Sequence, residues 1–258
     1  LFNLPVSGTH AHALVQAYQN DYDAFTAYAS SHRDVVFLVD TFDTLKSGVP
    51  AAIKVAREFG DNINFQGIRI DSGNMILLSI KIRKMLDEAG FSNAKIYASN
   101  DLDEYVISDL KAGGAKIDVW GVGTKLITSF DQPALGAVYK MVSIDGENTI
   151  KLSDDTDKIS IPGKKQIWRT KSGDMLSFAT ELSSGKPILH DIFTTGQKVY
   201  DLPTIQEIQT YAKNALLELP DRFKRLNHPD HYDVTLSKQL ANAKSTTIAD
   251  IQLKIKEN

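Results

Sequence analysis

The 258 residues are 42% hydrophobic and 24% charged, enough apolar material for a sizeable core in one large domain or one and a half. A formal net charge of −3 gives no basic stripe for a nucleic-acid backbone, and the lack of cysteine excludes disulfides, thiolate zinc sites and a cysteine nucleophile. The first 20 residues hold no Lys, Arg, Asp or Glu but do hold His, Gln, Asn, Ser, Thr, Gly and Pro, which fits neither a membrane span nor a signal peptide.

The chain begins at Leu1 and not at Met, and its opening already reads as the interior of a fold, so a piece of a longer protein is expected. Thr9-His10-Ala11-His12 leads into helical spacing over residues 13–18 and 21–29. Residues 35–40 are apolar without polar alternation, the pattern of a strand buried on both faces, and they end in Asp40-Thr41-Phe42-Asp43. Pro50 opens a helix over 51–59, at a first-turn position where its missing N–H costs nothing. A strand over 65–71 ends abruptly in Asp71-Ser72-Gly73, and a charged helical pattern over 80–89 stops at Gly90.

Two further units follow. Residues 95–99 predict a strand with the polar end Asn100-Asp101-Leu102-Asp103 and a helix over 104–111; residues 117–120 predict a strand running into Gly121-Val122-Gly123-Thr124-Lys125. The polar ends near Asp40, Asp71, Asn100 and Gly123 recur at roughly thirty residues or slightly fewer, the spacing of βα units in a parallel barrel or open sheet. Chemistry in such sheets collects at the carboxyl ends of the strands. After about residue 135 the pattern changes to hairpins around Asp145-Gly146 and Ser172-Gly173, a helical stripe of Ile205, Ile208, Ala212, Ala215, Leu216 and Leu219, and a last helical region within 236–256. The expected domains are therefore 1–135 and 136–258.

Each polar residue has a plain reading beside a functional one. The glycine turn 121–125 offers N–H groups, a hydroxyl and an ammonium for a phosphate, or simply packs closely. His10 and His12 suit a barrel metal site, a hydrogen-bonded helix start, or one catalytic histidine oriented by Asp40. Asp40, Asp71, Asp101 and Asp103 suit helix caps. Against the plain reading stands accumulation, because parallel units gather His12, Asp40, Arg69, Asp71, Asn100, Gly123 and Thr124 at one rim. An arginine within a strand, as Arg69 is, is costly without an anion.

In this order, Gly8-Thr9-His10-Ala11-His12, Leu38-Val39-Asp40-Thr41-Phe42-Asp43-Thr44-Leu45, Gly67-Ile68-Arg69-Ile70-Asp71-Ser72-Gly73, Ala98-Ser99-Asn100-Asp101-Leu102-Asp103-Glu104 and Trp120-Gly121-Val122-Gly123-Thr124 resemble nicotinate phosphoribosyltransferases. The stretch from Lys151-Leu152-Ser153 through Pro162-Gly163-Lys164 to Trp168-Arg169 is similar too. The resemblance implies an incomplete TIM-like α/β barrel of a type II phosphoribosyltransferase, with an appended α+β C-terminal region completing and flanking it. It implies transfer of a phosphoribosyl group from phosphoribosyl pyrophosphate to nicotinate, in NAD salvage, with ATP as co-substrate hydrolysed through a phosphohistidine.

By the same resemblance the phosphorylated residue is His12, Asp40 hydrogen-bonds it, and Asp71 completes the catalytic set. Arg69 and Asp71 line the base and ribose region, while Ser99, Asn100, Gly123 and Thr124 hold the 5-phosphate, with Ser72 and Gly121 also counted as substrate-binding. Magnesium would be held mainly by substrate phosphates, and the protein would be a cytoplasmic homodimer with shared active sites and neither nucleic-acid nor membrane partners. Two departures bear on this. Asn74 stands where many nicotinate enzymes have aspartate and is similar to nicotinamide enzymes, which keeps nicotinamide as an alternative base. The family's N-terminal domain is missing, so the piece alone is expected to bind poorly or be inactive. The alternatives outside the family are a metal-dependent barrel hydrolase using His10 and His12 and a non-catalytic phosphate-binding or assembly module.

Overall fold

The structure, a computed structural model, describes residues 6–257. They divide into two compact units, one ending at Leu135 and the other beginning at Gly136.

In the first unit β1 (Asp34–Leu38), β2 (Asn64–Ile70), β3 (Lys95–Ala98) and β4 (Val119–Trp120) form one sheet in sequential order, every pairing parallel. The helices are α1 (His12–Tyr18), α2 (Asp21–Ser31), α3 (Val49–Phe59), α4 (Met75–Glu88), α5 (Glu104–Ala112) and the single turn α6 (Thr124–Ile127). Four strands in unbroken order are an arc that a barrel and an open sheet share. What is observed is an open sheet with β1 and β4 at its edges. Side-chain oxygens start three of these six helices: Asn20 accepts from Asp23 N, Asn74 from Leu77 N and Asp103 from Val106 N, each satisfying an orphan donor. Asp43 does the same for a five-residue π-helical turn, Thr44–Gly48, that feeds α3.

The core explains why β1 lacks polar alternation. Val35, Phe37 and Val39 pack with Ile68, Ile70, Ile96 and the helical residues Phe25, Val55, Ile82 and Leu86, and the opposite-facing Val36 and Leu38 are buried as well. The outer edge of β1 is closed by side chains. Thr9 Oγ1 donates to Val36 O at 2.8 Å, and His10 Nε2 accepts from Leu38 N at 3.0 Å, so residues 9 and 10 stand in for the strand partner an edge lacks.

The second unit carries three hairpins. Asp145-Gly146, both at positive φ (49° and 83°), join β5 (Ser143–Ile144) to β6 (Glu147–Asn148), as a primed turn requires. β7 (Lys165–Thr170) and β8 (Gly173–Phe178) form the longest pair, joined in a sheet of order β12-β8-β7-β9 by β9 (Lys186–Pro187) and, parallel to β8, by β12 (Val234–Leu236). Gly173 opens β8 instead of turning the hairpin, whose two-residue loop is Lys171-Ser172, and a Cβ at 173 would lie 2.5 Å from Asp233 O. The third hairpin, β10 (Phe193–Thr194) with β11 (Gln197–Lys198), has no counterpart in the sequence reading. Arg169 grips the buried Asp174 with two bonds of 3.0 and 2.9 Å, and Tyr232 Oη adds a third at 3.0 Å; the guanidinium holds that carboxyl below the usual range. α7 (Ile205–Glu218) forms where the apolar stripe predicts it but buries none of it among the described residues, and α8 (Lys238–Glu257) ends the chain. Among the described residues no helix is long and apolar enough to cross a membrane.

Gly67 sits where the register of β1 against β2 shifts by one residue, at φ 151°, and a Cβ there would lie 1.9 Å from Lys95 O. Gly67→Ala is expected to cost more than about 3 kcal/mol in a urea melt. Gly60→Ala, at φ 50° and ψ −128° with nothing within 4 Å, should cost less, about 1–3 kcal/mol, all of it backbone strain.

Candidate active site

The four strand ends step into one another by hydrogen bonds that outlast the sheet. Val39 N donates to Arg69 O at 3.1 Å, Ser99 N to Ile70 O at 3.1 Å and Gly121 N to Ala98 O at 2.7 Å. The residues following each strand are thereby brought side by side. Asp40, one residue past Val39, turns its carboxylate along the row instead of into a helix cap: Oδ2 accepts from Asp71 N at 2.8 Å and from Ser72 Oγ at 2.5 Å. Asp71 repeats the move, accepting from Ser99 Oγ at 2.5 Å. Neither aspartate caps a helix; Asp103 is the one of the four that does.

His12, the first residue of α1, faces this row. Its Nε2 lies 3.8 Å from Asp40 Oδ1 and 3.7 Å from Asp71 Oδ2, and its Nδ1 is 2.9 Å from Thr41 Oγ1. The expected hydrogen bond from Asp40 to His12 is thus not formed: 3.8 Å is an ion-pair separation, and the bonds of Asp40 go to residues 71 and 72. The Asp40 side chain is 1% exposed, and its Oδ1 is buried without a hydrogen-bond partner. A carboxylate oxygen only accepts hydrogen bonds, so it offers the facing imidazole nitrogen an acceptor and no donor.

Arg69 lies in register with Leu38 and Tyr97. Its Nε is buried with no hydrogen-bond partner, and among the described residues it makes no ion pair. A cation so placed is costly unless an anion reaches it. Asn100 and Asp101 adopt φ of 96° and 44°, a strained stretch of backbone directly after β3 of the kind that persists at ligand loops.

The row brings together His12, Asp40, Asp71, Ser72 and Ser99, and Gly121 closes against it, a Cβ at 121 coming within 3.3 Å of Ser99 Cβ. It does not bond Asn100, Gly123 or Thr124, which are exposed at the neighbouring loop ends. The ammonium of the 121–125 turn is not free for a phosphate, because Lys125 donates to Asp103, which lowers that carboxyl's pKa and raises the ammonium's. His10 turns away from His12, into Phe25 and Tyr28 at ring distances of 5.4 and 5.1 Å, with Nε2 spent on Leu38 N. The pairing of His10 with His12 that a barrel hydrolase needs is therefore absent, since His12 begins a helix and does not share a strand with His10. Thr41 is the contact that sequence reasoning passed over, because a threonine beside an aspartate gives no sign of a partner 29 residues away.

The comparisons with known proteins agree with the motifs. Residues 149–244 match the family described as nicotinate phosphoribosyltransferase C-terminal domain. Over 99% of its length the chain is 49% identical to a nicotinate phosphoribosyltransferase of Bacillus subtilis, covering 59% of that protein. It is 35% identical over 93% of its length to the nicotinate phosphoribosyltransferase pncB2 of Mycobacterium tuberculosis, covering 52% of it. The fold is similar to the crystal structure of human nicotinic acid phosphoribosyltransferase, with a TM-score of 0.78 at 23% identity, over 95% of this chain and 62% of that one. The chain thus spans between 52% and 59% of the length of these two relatives.

Burial pushes the His10 imidazole down from 6.5 to about 4, with the charge of Arg69 acting in the same direction. The unfolded chain therefore binds a proton between those values that the folded chain refuses. Stability from this group is complete above pH 6.5 and is lost as the pH falls towards 4, by up to about 3 kcal/mol. His10→Gln should be less stable at pH 7 and should flatten the slope of unfolding free energy over this window; an unchanged slope contradicts the assignment.

Proposed function

From the premise that this chain belongs to the nicotinate phosphoribosyltransferase family, of whose length it spans a part, we propose that the whole protein forms nicotinate mononucleotide from nicotinate and phosphoribosyl pyrophosphate. Hydrolysis of ATP is coupled to the transfer through His12. The observation that carries this reading is the placement of the His12 imidazole 3.8 and 3.7 Å from two carboxylates at the ends of adjacent parallel strands. Helix caps alone would not produce it.

In the transfer, the ring nitrogen of the base forms a bond to C1 of the ribose while the bond from C1 to the pyrophosphate oxygen breaks, its electron pair leaving with pyrophosphate. Positive charge gathers on the ribose as that bond lengthens. Asp71, half-exposed and fixed by Ser99, supplies a preorganised negative charge for it, and Asp40 fixes the Asp71 backbone so that no reorganisation is needed at the moment of reaction. Arg69, whose Nε has no partner in the protein, binds the substrate's anionic part. Asn100, Gly121, Gly123 and Thr124 form the loop ends that receive the 5-phosphate, with Ser72 and Ser99 between them and the ribose.

For the coupled step the two carboxylates hold a proton on Nε2 of His12, leaving the lone pair on Nδ1. A tautomer fixed in this way leaves the opposite nitrogen as the one able to attack. Magnesium fits this site as an ion carried on the substrates. Asp71, its carboxylate 35% exposed, is the group that would approach it. When bound, magnesium neutralises the departing pyrophosphate. The same reading makes the whole protein a cytoplasmic homodimer with shared sites in NAD salvage.

Nicotinamide remains the second reading on one observation. Asn74 caps α4 by accepting from Leu77 N at 3.1 Å, a task aspartate performs equally well. The difference between asparagine and aspartate here is therefore one of charge near the base and not of fold.

His12→Ala in the full-length protein should abolish ADP release while leaving a slow, ATP-independent transfer. ADP release equal to that of the unaltered protein would remove the phosphohistidine.

A further inference from the structure

Both ring nitrogens of His12 face side chains, and the two sides differ in chemistry. Nδ1 lies 2.9 Å from Thr41 Oγ1, while Nε2 is the atom flanked by Asp40 and Asp71. A carboxylate only accepts hydrogen bonds, whereas a hydroxyl can donate or accept. With both carboxylates on the Nε2 side, the proton belongs there, and Nδ1 is left as an acceptor facing a hydroxyl that can donate to it. Thr41 lies next to Asp40 in the chain, at the end of β1, so one short segment addresses both ring nitrogens in opposite senses. The segment is held in place. The Thr44–Gly48 turn presses so closely on β1 that a Cβ at Gly48 would meet Val39 O at 1.9 Å, and the carboxylate of Asp43 accepts from Leu45 N and Lys46 N.

We propose that Thr41 is a positioning residue for His12, its hydroxyl donating to Nδ1 and so fixing the ring's tautomer and rotation. The inference rests on the role given to His12 above. In the step, the Nδ1 lone pair forms the N–P bond to the terminal phosphorus of ATP, the bond from that phosphorus to the bridging oxygen breaks, and its electron pair leaves with ADP. The Nε2 proton stays on the ring, and the positive charge the ring acquires is shared with Asp40 and Asp71. Thr41 loses its acceptor as the new bond forms, so its hydroxyl must turn aside. The methyl group of threonine limits the rotamers open to it for doing so.

Two readouts test this, and they fail separately. In the first, ring 15N–1H correlations of His12 are recorded for this chain, for Thr41→Ser and for Thr41→Val. A single Nε2–H tautomer in the unaltered chain and in Thr41→Ser, becoming a mixture in Thr41→Val, supports the proposal. An Nδ1–H tautomer in the unaltered chain, or one that does not change in Thr41→Val, overturns it whatever the enzyme proves to do. In the second, ADP release by the full-length protein should fall at least tenfold in Thr41→Val and recover in Thr41→Ser, with KM for ATP changing less than kcat. Equal ADP release by Thr41→Val and the unaltered protein overturns the proposal. A full-length protein that releases no ADP at all overturns the role of His12 in ATP coupling, and with it the attack by Nδ1, while the tautomer measurement still decides what Thr41 holds.

Discussion

The Asp40 carboxylate is the constraint on which the rest of the site depends. It is almost fully buried, and a buried carboxylate is tolerable only when its oxygens are engaged. One oxygen is satisfied by Asp71 N and Ser72 Oγ, which fixes the end of β2 beside the end of β1. The other has no hydrogen-bond donor and looks at His12 from 3.8 Å. That arrangement turns a turn-forming aspartate into a local source of negative potential. It also explains why the chain after β2 cannot drift: moving Asp71 would break the bonds that keep Asp40 tolerable. Ser99 extends the same logic to β3 by donating to Asp71.

The fold provides what this row needs through parallel strands in unbroken order. Each βα unit ends its strand one step along the sheet from the last, so residues some thirty apart in sequence become neighbours. His12 reaches the row from outside the sheet, and His10 is what brings it there. By accepting from Leu38 N within a nest of aromatic rings, His10 pins the segment before α1 to the open edge of β1. The two histidines therefore divide the work. One is neutral, buried and structural, and the other is half-exposed and faces the two carboxylates.

Much of this is written in the sequence, and the parts that are not have physical reasons. The apolar run ending in Asp40, the break at Asp71-Ser72-Gly73 and the glycine turn after Trp120 mark strand ends by local chemistry alone. Local chemistry does not say which oxygen meets which donor. Hence Asp40 reads as a partner of His12 while its hydrogen bonds go to residues 71 and 72, and Lys125 reads as available while Asp103 holds it. Thr41 and the inward turn of His10 depend on contacts between residues 28 or 29 apart, beyond any periodicity in the chain. In the second unit the Asp145-Gly146 hairpin is legible because both residues tolerate a left-handed backbone. The Thr195-Gly196 turn is not legible because threonine, unlike aspartate, gives no local signal for the positive φ of 48° that it adopts.

We propose that this row of side chains serves phosphoribosyl transfer to nicotinate with ATP consumed in step. The most direct test is mononucleotide formation by the full-length protein with magnesium, phosphoribosyl pyrophosphate and ATP, offering nicotinate, nicotinamide and quinolinate separately and counting ADP per product. Product from nicotinate is expected, with ADP released in proportion. Product from nicotinamide in place of nicotinate, or no product from any of the three, would contradict the proposal.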